Sequence, residues 1–137
     1  MAGPVVEAFV IESRDAGASL ALRANSRAYF LAELRSAGLA ATALVSRYMS
    51  FGLADFFGGI AADWTGWEGV REWSSLEGEL ALDAESDRTG HVHLRVGLRC
   101  GAPPEWETHA GLLLESGQLD QLASAAQGFE HWVIRAT

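Results

Sequence analysis

The chain has a single cysteine, Cys100, and no lysine among its 137 residues. One thiol excludes an internal disulfide and any cysteine-built zinc knuckle. The absence of lysine excludes the usual phosphate-cradling loop, because Gly66-Trp67-Glu68-Gly69 is glycine-rich but has no Lys to follow it. No stretch of about 18 apolar residues is present to cross a bilayer. The N-terminus lacks a basic segment followed by an apolar one, so no secretion signal is read and the expected compartment is the cytoplasm. Serines are scattered without a G-x-S-x-G turn or a recognisable base partner. What remains is a globular composition, 49% hydrophobic and 20% charged. It fits one domain over residues 1–137 that needs no covalent or metal staple to fold.

Basic charge is scarce in one half. Residues 1–71 hold six arginines against seven acids, whereas residues 72–137 hold four against eleven. The formal net charge of −8 therefore sits mainly in the second half. An acidic surface repels phosphate backbones and anionic lipid heads, which argues against nucleic acid and membrane as partners and favours a basic protein.

Alternation dominates the pattern. Val5–Ile11, Ser19–Ala24, Ala28–Arg35 and Leu39–Met49 read as strands, separated by turn signals at Asp15-Ala16-Gly17 and Ser36-Ala37-Gly38. At residue 50 the period changes. Leu53, Phe56, Phe57, Ile60 and Trp64 make one helical stripe, with Ser50 as the expected N-cap and Gly66 just past the end. Gly58-Gly59 weakens that helix, so close packing on the sheet is expected there. From Leu76 to Asp87 the period is two again. Leu76, Gly78, Leu80, Leu82 and Ala84 face inward, opposite Glu77, Glu79, Asp83, Glu85 and Asp87. His91–Cys100 continues it with Val92, Leu94, Val96, Leu98 and Cys100 inward. Symmetric closure of this hairpin sets Leu82 against Leu94, Glu85 against His91, Asp83 against His93 and Glu77 against Arg99. After Gly101-Ala102-Pro103-Pro104, Trp106–Leu114 forms another strand. A last helix starts near Ser116 and is expected to stop at Gly128, leaving Phe129–Ile134 as a closing strand or tail. The order ββββ-α-βββ-α predicts an α+β domain, mainly antiparallel, with its helices on one sheet face.

Trp64-Thr65-Gly66-Trp67-Glu68-Gly69, Trp73-Ser74-Ser75-Leu76-Glu77-Gly78-Glu79-Leu80 and Gly90-His91-Val92-His93-Leu94-Arg95-Val96 follow in that order. They resemble W-x-G-W-x-G, W-x-S-L-E-G-x-L and G-H-V-x-L-x-V of a family of small actinobacterial domains of unknown function. The strand and helix order is also similar to immunity proteins of the WapI type, which protect a bacterium from a toxin. Neither resemblance implies a catalytic motif.

His91 and His93, with Asp83 and Glu85 across the hairpin and His109 one strand over, are the candidate metal ligands. Cross-strand ion pairing accounts for the same residues, so no metal and no cofactor is expected. Cys100 points inward without a base and reads as a small core residue. Asp55 and Asp63 lie near one face of the first helix but lack a partner carboxylate. Trp64, Trp67 and Trp73 cluster around the loop that leaves the helix. Trp64 reads as a continuation of the buried stripe, and Trp67 and Trp73 as candidate anchors for a partner. No catalytic residue is identified. The sequence thus predicts a non-catalytic acidic module that binds a basic protein through Trp67, Trp73, Glu77, Glu79, Asp83 and Glu85, such as an immunity-type inhibitor. The alternative is a small ligand-binding protein or enzyme with a pocket between the sheet and the first helix.

Overall fold

Residues 7–15, 17–101 and 105–135 are described by a computed structural model. Four strands come first: β1 (Ala8–Glu12), β2 (Ser19–Ala24), β3 (Tyr29–Ser36) and β4 (Leu39–Ser46). Helix α1 (Leu53–Ala62) leads to β5 (Val70–Ser74), β6 (Leu80–Ser86), β7 (His91–Cys100) and β8 (Trp106–Glu115). A 3₁₀ turn, Ser116–Gln118, leads into α2 (Leu119–Ile134). The expected order of strands and helices is present, with β5 as a short strand ahead of the second set. The strands form two antiparallel sheets, β1-β2-β3-β4 and β5-β6-β7-β8, rather than one. Val5 and Val6 of the expected first strand, Ala16 of the first turn and residues 102–104 lie outside the described residues.

Both sheets are built from adjacent antiparallel neighbours, so hairpin chemistry decides how they pair. β3 and β4 face β7 and β8, while α2 lies against β1, α1 lies against β5, and the helices pack on each other. One apolar core therefore runs through both sheets and both helices. Phe9 meets Phe57 edge-on at 5.3 Å between ring centroids, and Phe30 meets Phe129 at 5.4 Å. At one corner the β1–β2 turn closes onto the edge of β8. The Leu113 N–H donates to Ser13 Oγ at 2.9 Å, and Arg14 N–H donates to the Leu113 carbonyl.

Several sequence expectations are corrected. Helix α1 begins after Gly52, a residue with φ of 97°, not after Ser50. The Ser50 hydroxyl instead donates to the Ser46 carbonyl, and Glu130 of α2 accepts the Ala54 N–H. A carboxylate there satisfies one of the N-terminal donors that a missing cap leaves open. The helix stops at Ala62, so Trp64 falls off its buried stripe and is 58% exposed. Close packing does not explain the glycine pair: a Cβ at Gly58 would meet nothing within 4 Å, and one at Gly59 only Arg71 Nη1 at 3.5 Å. Helix α2 does not end at Gly128. That glycine is buried, and Ala126, Phe129, Trp132 and Val133 continue one buried stripe past it. The residues 129–134 are helical.

The β6–β7 hairpin has the expected faces and a different register. Leu80 pairs with Leu98, Leu82 with Val96, Ala84 with Leu94, Asp83 with Arg95 and Glu85 with His93. Every partner moves by two residues, which leaves every leucine on its expected face. The cause is the turn. Asp87 Oδ1 accepts the N–H groups of Thr89 at 2.7 Å and His91 at 3.2 Å, and the Asp87 N–H donates to the His91 carbonyl at 3.1 Å. Arg88 and Gly90, at φ of 62° and 94°, complete a tighter loop than symmetric closure at Glu85 and His91 assumes.

Candidate functional site

The strip formed by β5, β6 and the turn between them carries most of the residues singled out above. Val70, Glu72 and Ser74 alternate with Arg71 and Trp73, and the first set faces outward. Pairing places Glu72 directly across from Asp83 and Val70 across from Glu85. The carboxylates of Glu72, Glu77, Asp83 and Glu85 make no ion pair or hydrogen bond among the described residues. Asp83 faces Arg95 across β7 without forming an ion pair with it. Like charges directly opposite each other disfavour the sheet, so this edge keeps a concentrated negative field.

Two acids and one leucine of the expected alternation are placed differently. The segment Ser75–Glu79 is a turn, with Gly78 at φ of 76°, so the alternation starts only at Leu80. Leu76 is 56% exposed rather than inward. Glu79 turns inward. Its carboxylate accepts from the Ser75 hydroxyl at 2.8 Å and from the Ser46 N–H at 3.1 Å, which ties the turn to the end of β4. Glu79 is therefore a structural bridge and is not part of the exposed strip. Glu77 does lie beside Arg99, but Arg99 Nη2 donates to its backbone carbonyl, at 2.6 Å, and not to its carboxylate. A Cβ at Gly78 would sit 2.7 Å from Arg99 Nη2, so the guanidinium would have to shift, and the φ of 76° favours glycine there in any case.

The three tryptophans divide. Trp67 and Trp73 are half-buried, and both indoles are satisfied from within. Trp67 Nε1 donates to the Gly69 carbonyl at 3.1 Å, and Trp73 Nε1 to the Phe51 carbonyl at 2.8 Å. The Arg71 guanidinium lies 4.5 Å from the Trp67 ring centroid and also pairs with Asp63. Trp64 is the open one. Its loop is held to the far end of β6, where Arg88 pairs with Glu68 at 2.8 Å and Gly66 lies against Ser86 and Arg88. Trp64 thus belongs to a loop whose Gly66 and Glu68 approach the Glu85 end of the acidic strip.

Between α1 and β5 is a cleft of about 410 Å³, lined by Gly52, Asp55, Phe56, Gly59, Arg71, Glu72 and Trp73. Its lining is mainly apolar, around Phe56 and Trp73, and Asp55, Arg71 and Glu72 border it. Arg71 and Glu72 were missed because β5 was not recognised, although the alternation Val70-Arg71-Glu72-Trp73-Ser74 carries the signal.

The histidines do not take their expected partners. His91 Nδ1 lies 3.1 Å and His93 Nε2 3.9 Å from Asp87 Oδ2, and it is His93, not His91, that stands across from Glu85. Asp87 is held as the carboxylate: the Thr89 N–H foremost, with the Thr89 side chain and His91 adding to it, lowers its pKa from 3.8 to about 2. His109 pairs with Gly97, which puts it on the same sheet face as His91 and His93, as expected, and its ring lies where a Cβ at residue 97 would approach to 3.0 Å. Among the described residues no group of three or more His, Cys, Asp or Glu side chains is placed to hold a metal. Cys100 is half-buried and a free thiol. Asp55 borders the cleft, whereas Asp63 is taken up by Arg71. No helix is long and apolar enough to cross a membrane among the described residues.

No curated protein and no solved structure matches the chain. A family described as a family of unknown function (DUF6228) matches residues 11–133, a span that includes both sheets almost entirely and both helices to within one residue. The chain belongs to that family.

Proposed function

We propose that the protein is a non-catalytic binding module whose acidic β5–β6 strip meets a basic protein partner. Its most concrete form is an immunity-type inhibitor that covers a basic toxin. The observation that carries this reading is the pairing of Glu72 with Asp83, beside Glu85, with none of the three carboxylates in an ion pair or hydrogen bond among the described residues, although Arg95 faces Asp83 from β7. A like-charge pair of this kind disfavours folding by some tenths of a kcal/mol up to about 1 kcal/mol, and a basic partner reverses the sign of its contribution. Trp64, exposed on the loop that approaches the same strip, supplies an aromatic anchor, while Trp67 and Trp73 support the surface from beneath. The experiment is affinity capture from the native host with wild type and with Glu72→Gln/Asp83→Asn/Glu85→Gln. A basic protein held by wild type and lost by the variant supports the reading; equal recovery by both contradicts it.

A second reading has an observation of its own. The α1–β5 cleft is lined mainly by apolar and aromatic surface around Phe56 and Trp73, with Asp55 and Arg71 beside them, an arrangement suited to a small ligand with an apolar body and a polar group. A small molecule that co-purifies with wild type and is lost on Trp73→Leu, with no protein recovered, would favour it over the binding module.

A further inference from the structure

Three of the ten arginines meet where the β2–β3 turn, the end of β4 and the last turn of α2 come together. Arg27, Arg47 and Arg135 line an open cavity of about 610 Å³ with Trp132 and Glu7. Arg47 forms its floor and is only 7% exposed. Its guanidinium stacks 3.4 Å from the Trp132 ring centroid. Nη1 donates to the carbonyls of Ser26 at 3.1 Å and Arg27 at 3.3 Å, and Nη2 donates to the Trp132 carbonyl. Nε is buried and has no hydrogen-bond partner among the described residues.

A structural role explains part of this arrangement. Arg47 clamps the β2–β3 turn to α2, and one cation at a helix C-terminus is favoured by the helix dipole. It does not explain three. Every hydrogen bond that Arg47 makes goes to a neutral carbonyl, so no direct contact cancels its charge. Arg27 and Arg135 make no ion pair among the described residues, and Glu7 is the sole carboxylate in the lining. Burial and then the nearby Arg135 lower the Arg47 pKa from its ordinary value, with Glu7 acting in the opposite sense. A molecule of net charge −8 thus gathers an excess of positive charge in one concave place. Stacked guanidinium groups present their N–H rims to planar or tetrahedral oxyanions, and hydrogen bonds to such groups are the strong, charge-assisted kind.

We propose that this cup is a binding site for a small anionic group, a carboxylate or a phosphate, held by Arg27 and Arg135 above the buried Arg47. The site is separate from the acidic strip and does not depend on that reading. The test is an NMR titration of the full chain with sodium phosphate and, separately, sodium succinate, at constant ionic strength. The Arg47 Nε–H and Trp132 indole N–H resonances report on the cup. The expected result is a saturating shift of both, weakened at least tenfold by Arg27→Ala/Arg135→Ala. Both of those residues are exposed, so the variant keeps the fold while Arg47 retains its clamp. Saturation by phosphate alone identifies a phosphate-bearing ligand, by succinate alone a carboxylic acid, and by both a site selective for charge only. Shifts that stay linear with concentration, that are absent, or that survive unchanged in the double variant overturn the proposal.

Discussion

Asp87 shows how one side chain sets the geometry of a whole hairpin. Its carboxylate holds the Thr89 and His91 N–H groups, and folding lowers its pKa to about 2 from the ordinary 3.8. A carboxyl depressed in this way contributes stability that is fully present above its unfolded pKa and is lost as the pH falls from 3.8 to about 2. Carbon-detected NMR should find Asp87 titrating near the lower value; a midpoint at 3.8 would contradict the turn geometry. Glu79 makes a complementary case, because it accepts from Ser75 and Ser46 between the sheets. Glu79→Ala should reduce stability by about 1–3 kcal/mol in urea unfolding, whereas Glu85→Ala should change it by less than about 0.5 kcal/mol. Equal effects would mean that Glu79 belongs with the exposed acids after all. A Cβ at Gly58 would meet nothing within 4 Å, so Gly58→Ala should raise stability by about 1 kcal/mol through helix propensity alone. A loss of stability there would reveal packing that the structure does not contain.

At the scale of elements, what the sequence discloses follows from periodicity. Leu80, Leu82, Ala84, Val92, Leu94, Val96 and Leu98 could be assigned to the inner face because side chains alternate strictly along a strand. Their partners could not, because a two-residue shift preserves every face and only the loop distinguishes the registers. Strand β5 was missed because it is short and half-exposed and shows no run of apolar residues. Trp64 was misplaced because a helical stripe extrapolates past the helix end, which falls at Ala62 with Asp63 as its C-cap. The edge pair offers a direct check. Glu72→Lys should stabilise the sheet by some tenths of a kcal/mol up to about 1 kcal/mol, by turning repulsion from Asp83 into attraction. An unchanged or lowered urea midpoint would show that the pair is not in repulsion.

The candidate sites belong to the whole molecule, and that is why they were least legible. The acidic strip is partly local in sequence and was partly foreseen through Glu77, Asp83 and Glu85. The arginine cup draws on residues 7, 27, 47, 132 and 135, which nothing in the linear pattern connects. Charge separation of this kind, an acidic edge and a basic hollow on one small domain, gives the surface two different electrostatic preferences. If the acidic edge steers a partner, its action must be felt at range and vanish with screening. Trp64→Ala should then speed dissociation and leave association nearly unchanged, since a buried ring holds a complex after charge has brought it together. The most direct measurement is the association rate of the recovered partner with wild type and with Glu72→Gln/Asp83→Asn/Glu85→Gln. It is taken at about 0.01 M and about 1 M salt, where charges act over roughly 30 Å and 3 Å respectively. The account predicts that wild type slows at least tenfold at high salt while the variant is already slow and changes little; equal salt dependence in the two proteins would contradict it.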